Sequence, residues 1–178
     1  MIGASPWTVP FRFIEIGAGP VKRALEADVV TCRAVARHLD VEAIGALTAD
    51  LTVRPWLDGA EVRGRFRAVV TQLCSVSAEL FDESVEGEFM VRVLAEGSPN
   101  APAEPEGEEV DLDPEADDPP DVVEGGAFDL GGYVVEHLSL ELDPFPRKPG
   151  ATFQPPEPTE PASPFAVLKL LRKDDAPE

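Results

Sequence analysis

From Leu47 to Val70 the chain alternates with a period of two, and no other feature constrains its fold as tightly. Leu47, Ala49, Leu51 and Val53 interleave with Thr48, Asp50, Thr52 and Arg54. After Asp58-Gly59, Val62, Gly64, Phe66, Ala68 and Val70 interleave with Glu61, Arg63, Arg65 and Arg67. Successive side chains of a strand point to opposite faces, so each run presents one apolar and one polar face. An Asp-Gly pair between two such runs marks a hairpin. Val85 to Ala95 repeats the pattern, with Val85, Phe89, Val91 and Val93 against Glu86, Glu88 and Arg92. Residues 44–95 therefore read as a three-stranded antiparallel meander, and its single apolar face needs helices to cover it. The expected class is α+β: an antiparallel sheet packed with a few helices and carrying a long disordered acidic insertion.

Two segments can supply the cover. Asp28 is placed to cap a helix running to Leu39, in which Cys32, Val35, Ala36 and Leu39 make one apolar stripe and Arg33 and Arg37 share the opposite face. A second helix should start after Asp129, with Leu130, Val134 and Leu138 spaced by four and Val135 and Leu142 beside them. Gly131 and Gly132 each cost such a helix up to about 1 kcal/mol of propensity, so packing must hold it. Upstream, Trp7 to Ile16 is β-branched and aromatic and reads as a strand, which Pro10 confines to an edge.

Residues 97–126 hold eleven acids and no Lys or Arg, with repeated Pro and Gly. Such a stretch buries too little apolar area to offset its ordering entropy, so it is expected to be a disordered insertion within one domain spanning 1–150. Residues 151–162 form a Pro-rich linker. Ser163 and Pro164 then open a short helix to Lys173, with Phe165, Val167, Leu168 and Leu171 on one face and Arg172 and Lys173 at its end. A helix this short is marginal alone and must dock, on its own domain or on something else.

The 178 residues carry a net charge of −19 and a pI near 4.3. That is the reverse of a general nucleic-acid binder, which uses cations to displace phosphate counterions, so any RNA contact must be local or made through a basic partner. The local candidates are Arg54, Arg63, Arg65 and Arg67, whose plainer role is a solvated sheet face paired to Glu61, Glu86 and Glu88. No apolar run approaches the roughly 20 residues of a membrane span, and the N-terminus shows no basic-then-apolar leader; the cytoplasm is expected. Cys32 and Cys74 follow no metal or disulfide spacing, and both read as small core residues. His38 falls at a helix end. Glu136-His137 lacks a second ligand four residues on, so no zinc protease site is indicated. Asp129, Glu136 and Asp143 have no nucleophile or second base beside them. Gly-rich phosphate loops, Ser-His-Asp order and CxxC pairs are absent from the sequence.

Four segments resemble a known family. They are Gly64-Arg-Phe-Arg-Ala-Val-Val-Thr-Gln72-Leu-Cys74, Phe128-Asp-Leu-Gly-Gly-Tyr-Val-Val-Glu136-His137-Leu-Ser-Leu, Asp143-Pro-Phe-Pro-Arg-Lys-Pro-Gly150 and Ser163-Pro-Phe-Ala-Val-Leu-Lys-Leu-Leu-Arg-Lys173. In order and separation they look like the YceD-type proteins, the bacterial family named for large ribosomal RNA subunit accumulation. The resemblance marks Cys74, Glu136, Pro144, Pro146 and Arg147 as family-motif positions. Relatives often carry a second cysteine three residues after the first and more near the C-terminal Pro segment. Ser77 and Arg147-Lys148-Pro149 stand there instead, so neither a metal nor another cofactor is expected. The resemblance implies a non-enzymatic factor supporting 23S rRNA accumulation during large-subunit assembly. Its partners would be ribosomal proteins or assembly factors, docked through Phe165, Leu168 and Leu171, with 23S rRNA or its precursor a further contact and no membrane or small-molecule substrate. The alternative is an acidic adaptor or chaperone-like binder of basic proteins, unrelated to rRNA. A hydrolase using Glu136 and His137 would need a third polar partner that the sequence does not offer.

Overall fold

The computed structural model describes residues 5–102 and 118–153. In chain order it runs through β1 (Pro10–Arg12), a 3-10 turn (Phe13–Glu15), β2 (Val21–Glu26), α1 (Val29–His38), β3 (Ala43–Trp56), β4 (Gly59–Leu73), β5 (Leu80–Ala95), β6 (Asp121–Val123), β7 (Ala127–Asp129) and α2 (Leu130–Glu141). β3, β4 and β5 are the expected antiparallel meander, in the expected phase: Val62 and Val70 are fully buried and Phe66 is 1% exposed, while Arg63, Arg65 and Arg67 point outward. The two glycines on the apolar face sit opposite phenylalanines, Gly64 across from Phe89 and Phe66 across from Gly87. A Cβ on Gly64 would run into the Phe89 ring, so each large ring fills the space that a missing side chain leaves on the neighbouring strand.

Two strands extend the meander, giving a five-stranded sheet in the order β2-β3-β4-β5-β6. β2 pairs antiparallel with β3, from Val21 opposite Val53 to Glu26 opposite Thr48. Its Val-Lys-Arg-Ala-Leu-Glu sequence has too little alternation to announce a strand, and its pairing to β3 supplies what the pattern lacks. β6 pairs parallel with β5, Val93 opposite Asp121, so the sheet is mixed rather than purely antiparallel. It also corrects the bounds of the acidic insertion, since residues 121–123 are ordered strand. At the other end of that stretch the Asn100 side chain donates to Asp58 at 2.8 Å. Residues 103–117 lie outside the described residues, as do the linker from residue 154 onward and the segment 163–173 with Phe165, Leu168 and Leu171.

The expected strand over Trp7 to Ile16 is shorter than its composition suggests. Only Pro10–Arg12 is strand, paired with β7 in a separate two-stranded sheet, where Pro10 stands at an edge as its missing N–H requires. Phe11, 1% exposed, packs its ring 5.4 Å from that of Phe128.

α1 begins as expected, with the Asp28 carboxylate accepting the Thr31 N–H at 2.7 Å, and buries Cys32, Val35 and Ala36. α2 is capped by Asp129, whose Oδ1 accepts the N–H groups of Gly131 at 3.1 Å and Val9 at 2.7 Å. Gly131 is where the Trp7 backbone crosses the helix, and a Cβ there would strike the Trp7 carbonyl. The glycine that weakens the helix as an isolated segment is therefore what lets it dock. α1 packs on β3 and α2 on β4 and β5, and their buried side chains join the sheet's apolar face in one core. Among the described residues no helix is long and apolar enough to cross a membrane.

Because β6 starts at Asp121, removal of the whole acidic stretch would take a strand with it. Deletion of residues 103–117 alone should leave the domain folded, since that stretch has no apolar periodicity and loop-closure entropy changes slowly with length. A melting midpoint lowered by more than about 10 °C, several kcal/mol at this size, would show that the segment packs.

Candidate functional site

The polar face of β3–β5 gathers the arginines singled out in the sequence. Cross-strand register places Arg54, Glu61 and Arg92 in one row, Thr52, Arg63 and Met90 in the next, then Asp50, Arg65 and Glu88, then Thr48, Arg67 and Glu86. Glu61 is the centre of the first two rows. It is only 6% exposed, and its Oε1 accepts hydrogen bonds from Arg54 Nε at 2.7 Å and Arg63 Nε at 2.8 Å. Burial by itself would raise the Glu61 carboxyl, but the hydrogen bonds from Arg54 and then Arg63 outweigh it and hold the group below the usual carboxylate range. Two guanidiniums on one carboxylate oxygen leave this corner cationic in a chain whose net charge is −19. The Arg92 guanidinium lies over the Trp56 ring, 5.1 Å from its centroid.

Further along the face Arg65 meets Glu88 at 2.6 Å and Arg67 meets Glu86 at 3.3 Å, all four side chains being more than half exposed. Exposed pairs of this kind contribute about 0–1 kcal/mol, so they leave these arginines available to exchange partners. Arg54, Arg63, Arg65 and Arg67 thus lie in successive rows of one face, the first two held by a buried acid and the last two only loosely paired with exposed ones.

Two clefts gather carboxylates with a histidine: Glu136 and His137 line one with Asp118 and Asp121, and His38 lines the other with Asp129 and Glu136. Asp129 is the α2 cap, Asp143 accepts the Phe145 N–H at 2.8 Å, and Glu136 stands exposed between them. His137 stacks on Phe89 with ring centroids 4.2 Å apart, its Nδ1 lying 2.8 Å from the Tyr133 carbonyl oxygen. His38 is exposed at the end of α1. Among the described residues no three His, Cys, Asp or Glu side chains are grouped to hold a metal ion.

The family-motif positions Cys74 and Pro146 meet at a junction that spacing alone could not reveal, because 71 residues separate Ser75 from Pro146. The Pro146 carbonyl accepts both the Ser75 N–H at 2.8 Å and the Ser75 hydroxyl at 3.0 Å, and Lys148 Nζ reaches Glu79 at 2.9 Å. Exposed Pro144 and Arg147 flank this anchor, which pins the loop after α2 to the end of the β4–β5 hairpin. Cys74 is buried, as its strand parity suggests, at the margin of the main core cluster, where backbone N–H groups as well as apolar side chains surround it. Its Sγ accepts N–H groups from Val76 and Ser77 at 3.4 Å each and from Lys148 at 3.3 Å.

Hydrogen bonding, first from the Ser77 side chain and then from its N–H, brings the Cys74 thiol down to about 7, against the burial that would raise it. A thiol whose folded value lies below its unfolded one releases its proton earlier in the fold. Stability should therefore rise as pH increases from about 7 to about 9, and that gain should be lost as pH falls through 7. Urea midpoints under reducing conditions across this range should climb for the native protein and stay flatter for Cys74→Ser. Equal slopes would show that the sulfur is not a preferred thiolate.

The family model described as "Large ribosomal RNA subunit accumulation protein YceD" matches residues 62–172. The match begins in β4, so β3, which the sequence resemblance also took in, lies outside it, whereas the segment after Ser163 falls almost wholly within. Comparison with curated proteins and with solved structures gives no match. With the hairpin, the Glu136-His137 helix, the anchored Pro loop and the C-terminal segment falling in one match over more than half its length, this chain belongs to the YceD family.

Proposed function

We propose that the protein is a non-enzymatic factor that supports 23S rRNA accumulation during assembly of the large ribosomal subunit. In this reading it binds basic ribosomal proteins or assembly factors of that subunit and touches rRNA through Arg54, Arg63, Arg65 and Arg67. The observation that carries it is the family match over residues 62–172, whose name ties the family to large-subunit rRNA. The geometry supports the non-catalytic part in that Asp129, His137 and Asp143 are each engaged in local hydrogen bonds or stacking. Charge supports the partner class: a chain at −19 attracts cationic proteins over distance, and the arginine face is a local surface that would attract phosphate.

The same net charge favours a second reading, an acidic adaptor that holds basic proteins without reference to rRNA. Co-sedimentation separates the two. An assembly factor should travel with precursors of the 50S subunit and leave them when the lysate is treated with nuclease, whereas an adaptor should ignore both. On the arginine face, changing Arg63, Arg65 and Arg67 together to Ser should weaken RNA association and flatten its salt dependence, each lost phosphate contact lowering the slope by about 0.7–0.9. The circular dichroism spectrum should not change, because Arg54 remains to neutralise Glu61. Undiminished association of the triple variant would make the face a solvated one satisfied by Glu61, Glu86 and Glu88.

A further inference from the structure

The apolar face of β4 runs through Val62, Gly64, Phe66, Ala68 and Val70, and the next inward position is Gln72. It lies one residue past the last pairing with β3, Ala43 opposite Thr71. The Gln72 side chain is buried, with the residue 6% exposed, and its Oε1 has no hydrogen-bond partner among the described residues. A buried amide oxygen without a donor costs free energy, and nearly all such groups in folded proteins are satisfied. Gln72 borders a cleft of about 460 Å³ between the ends of the two helices, with Leu39 and Asp40 after α1 and Ser139, Leu142 and Asp143 at the end of α2. We propose that this cleft receives an arginine side chain of a partner protein, with Gln72 Oε1 as its buried acceptor, an inference that rests on the reading of the chain as a binder of basic assembly components.

Charge makes the cleft a cation site. Asp40, Glu42 and Asp143 line it, and no Lys or Arg does among the described residues. Among those residues none of the three carboxylates is in an ion pair, and only that of Asp143 accepts a hydrogen bond, from the Phe145 N–H. Of the cations nearby in sequence, Lys148 is taken by Glu79, while Arg33 and Arg37 line a neighbouring groove that Glu42 also borders. Both helices end at the cleft, and the carbonyl end of a helix attracts positive charge. α1 has Arg37 and His38 in its last turn, but α2 has no basic residue in its own. Asp40, at φ 55°, holds the left-handed position after α1, where the Val41 N–H returns to the Ala36 carbonyl at 3.0 Å. Glycine suits that position best, and a carboxylate there works against the helix dipole and in favour of a cation in the cleft.

The walls select an arginine among cations. Leu39, Val41, Leu73 and Leu142 offer apolar surface to its methylene stem. Its guanidinium carries five N–H donors in one plane, enough to serve the Gln72 oxygen and a carboxylate together, where an ammonium is a compact point charge. A metal ion is disfavoured, since no three His, Cys, Asp or Glu side chains are grouped for one among the described residues. The terminal torsion of a glutamine is soft, so the amide turns to meet a donor in the cleft without moving β4. Pro144 and Pro146 also line the cleft, so the anchor of the Pro146 carbonyl on Ser75 fixes one wall of the site.

The test is titration of the full chain with the peptide acetyl-Gly-Val-Arg-Thr-Gly-amide at about 0.15 M salt, followed by NMR of backbone and side-chain amides. Saturable shifts should fall on the Gln72 side chain and on residues 39–42 and 139–146. A peptide with citrulline in place of arginine keeps the shape without the charge and should bind about tenfold more weakly or worse. The lysine peptide should bind several-fold more weakly than the arginine one. Gln72→Met removes the acceptor at similar length and should lower affinity about tenfold. It should not lower the melting midpoint, because the oxygen has no hydrogen bond to lose among the described residues. The Asp40→Asn, Glu42→Gln double variant should lose several-fold in affinity, whereas Glu124→Gln, outside the cleft, should bind as the native chain does.

Equal binding of the lysine or citrulline peptide would overturn the proposal. No binding, shifts confined to other surfaces, or full affinity in Gln72→Met would do the same. A melting midpoint lowered by more than about 10 °C in Gln72→Met would make the amide a structural partner and would also overturn it. Binding that appears only after truncation at Pro161 would make this chain's own Lys169, Arg172 or Lys173 the occupant in place of a partner, with the same result. Co-sedimentation with 50S precursors is read separately. Full retention by a double acid variant that no longer binds the peptide overturns the cleft as the docking site and leaves the assembly reading standing, whereas failure of the native protein to co-sediment strikes that reading itself.

Discussion

Replacing Phe66 by Ala should destabilise the domain by about 3–5 kcal/mol, more than any other single change in the strands. The ring is 1% exposed in the middle of β4, opposite Gly87 and under the α2 layer, where the Glu141 side chain comes near the same glycine. Large-to-small changes cost most where the surroundings cannot relax into the void. Here the neighbour across the strand has no side chain to move, and the next pair along, Gly64 with Phe89, is already filled from the other direction. Phe89→Ala should cost less, because that ring is 7% exposed and has His137 stacked on it to settle inward. Arg65→Ala, which removes only an exposed pair with Glu88, should fall within about 1 kcal/mol of zero. Urea unfolding of the three variants orders them. A loss below about 1 kcal/mol for Phe66→Ala would mean that the core can close over the cavity and that the glycine–phenylalanine pairing is not what fixes the meander.

The phase that sets Phe66 inward was legible because alternation reports which face a residue occupies, whereas its position opposite Gly87 was not. The phase of β3, β4 and β5, the Asp28 and Asp129 caps and the apolar stripes of both helices all follow from periods of two and of about 3.6, which are local properties of the chain. What could not be read was set by contacts between distant segments. β2 has only Val21 and Leu25 to bury and becomes a strand because β3 offers it an edge. β6 is three residues at the end of an acidic run, held by the last turn of pairing along β5 and by the Tyr133–Asp121 hydrogen bond. Gly131 looked like a defect of α2 until the Trp7 backbone accounted for it. The candidate site divides the same way. The arginine face is visible as every second residue of β4, but Glu61 as its buried centre is not, since a glutamate at an outward position reads as solvated. Cys74 was legible in part for a related reason: strand parity gives its burial, whereas the three N–H groups on its sulfur come from a hairpin end and from Lys148.

Truncation after Pro161 should leave a folded domain that no longer supports ribosome assembly. The core residues of α1, α2 and the sheet all lie between Trp7 and Leu138. The segment removed nevertheless has the pattern of something that docks: Ser163 and Pro164 to start a helix, Phe165, Leu168 and Leu171 on one face, Arg172 and Lys173 at the end. Ten residues of that kind are too few to hold a helix in water, so the pattern is useful only against a surface. A Pro-rich spacer of this composition would extend at about 3.1 Å per residue, long enough to carry the segment to a partner. The family match runs through residue 172, so the segment is part of what relates this chain to its family. A partner that family members share explains that better than packing private to one chain. Complementation of a strain lacking the protein, scored by its 23S rRNA level, is the measurement. The truncated form should be soluble, with a melting midpoint near that of the full chain, and should fail to restore the rRNA. Full rescue would show that the segment is dispensable for assembly. Unfolding of the truncated domain would place Phe165, Leu168 and Leu171 in the core instead of on a partner, and the single variant Leu168→Asp would then lower the melting midpoint instead of leaving it unchanged.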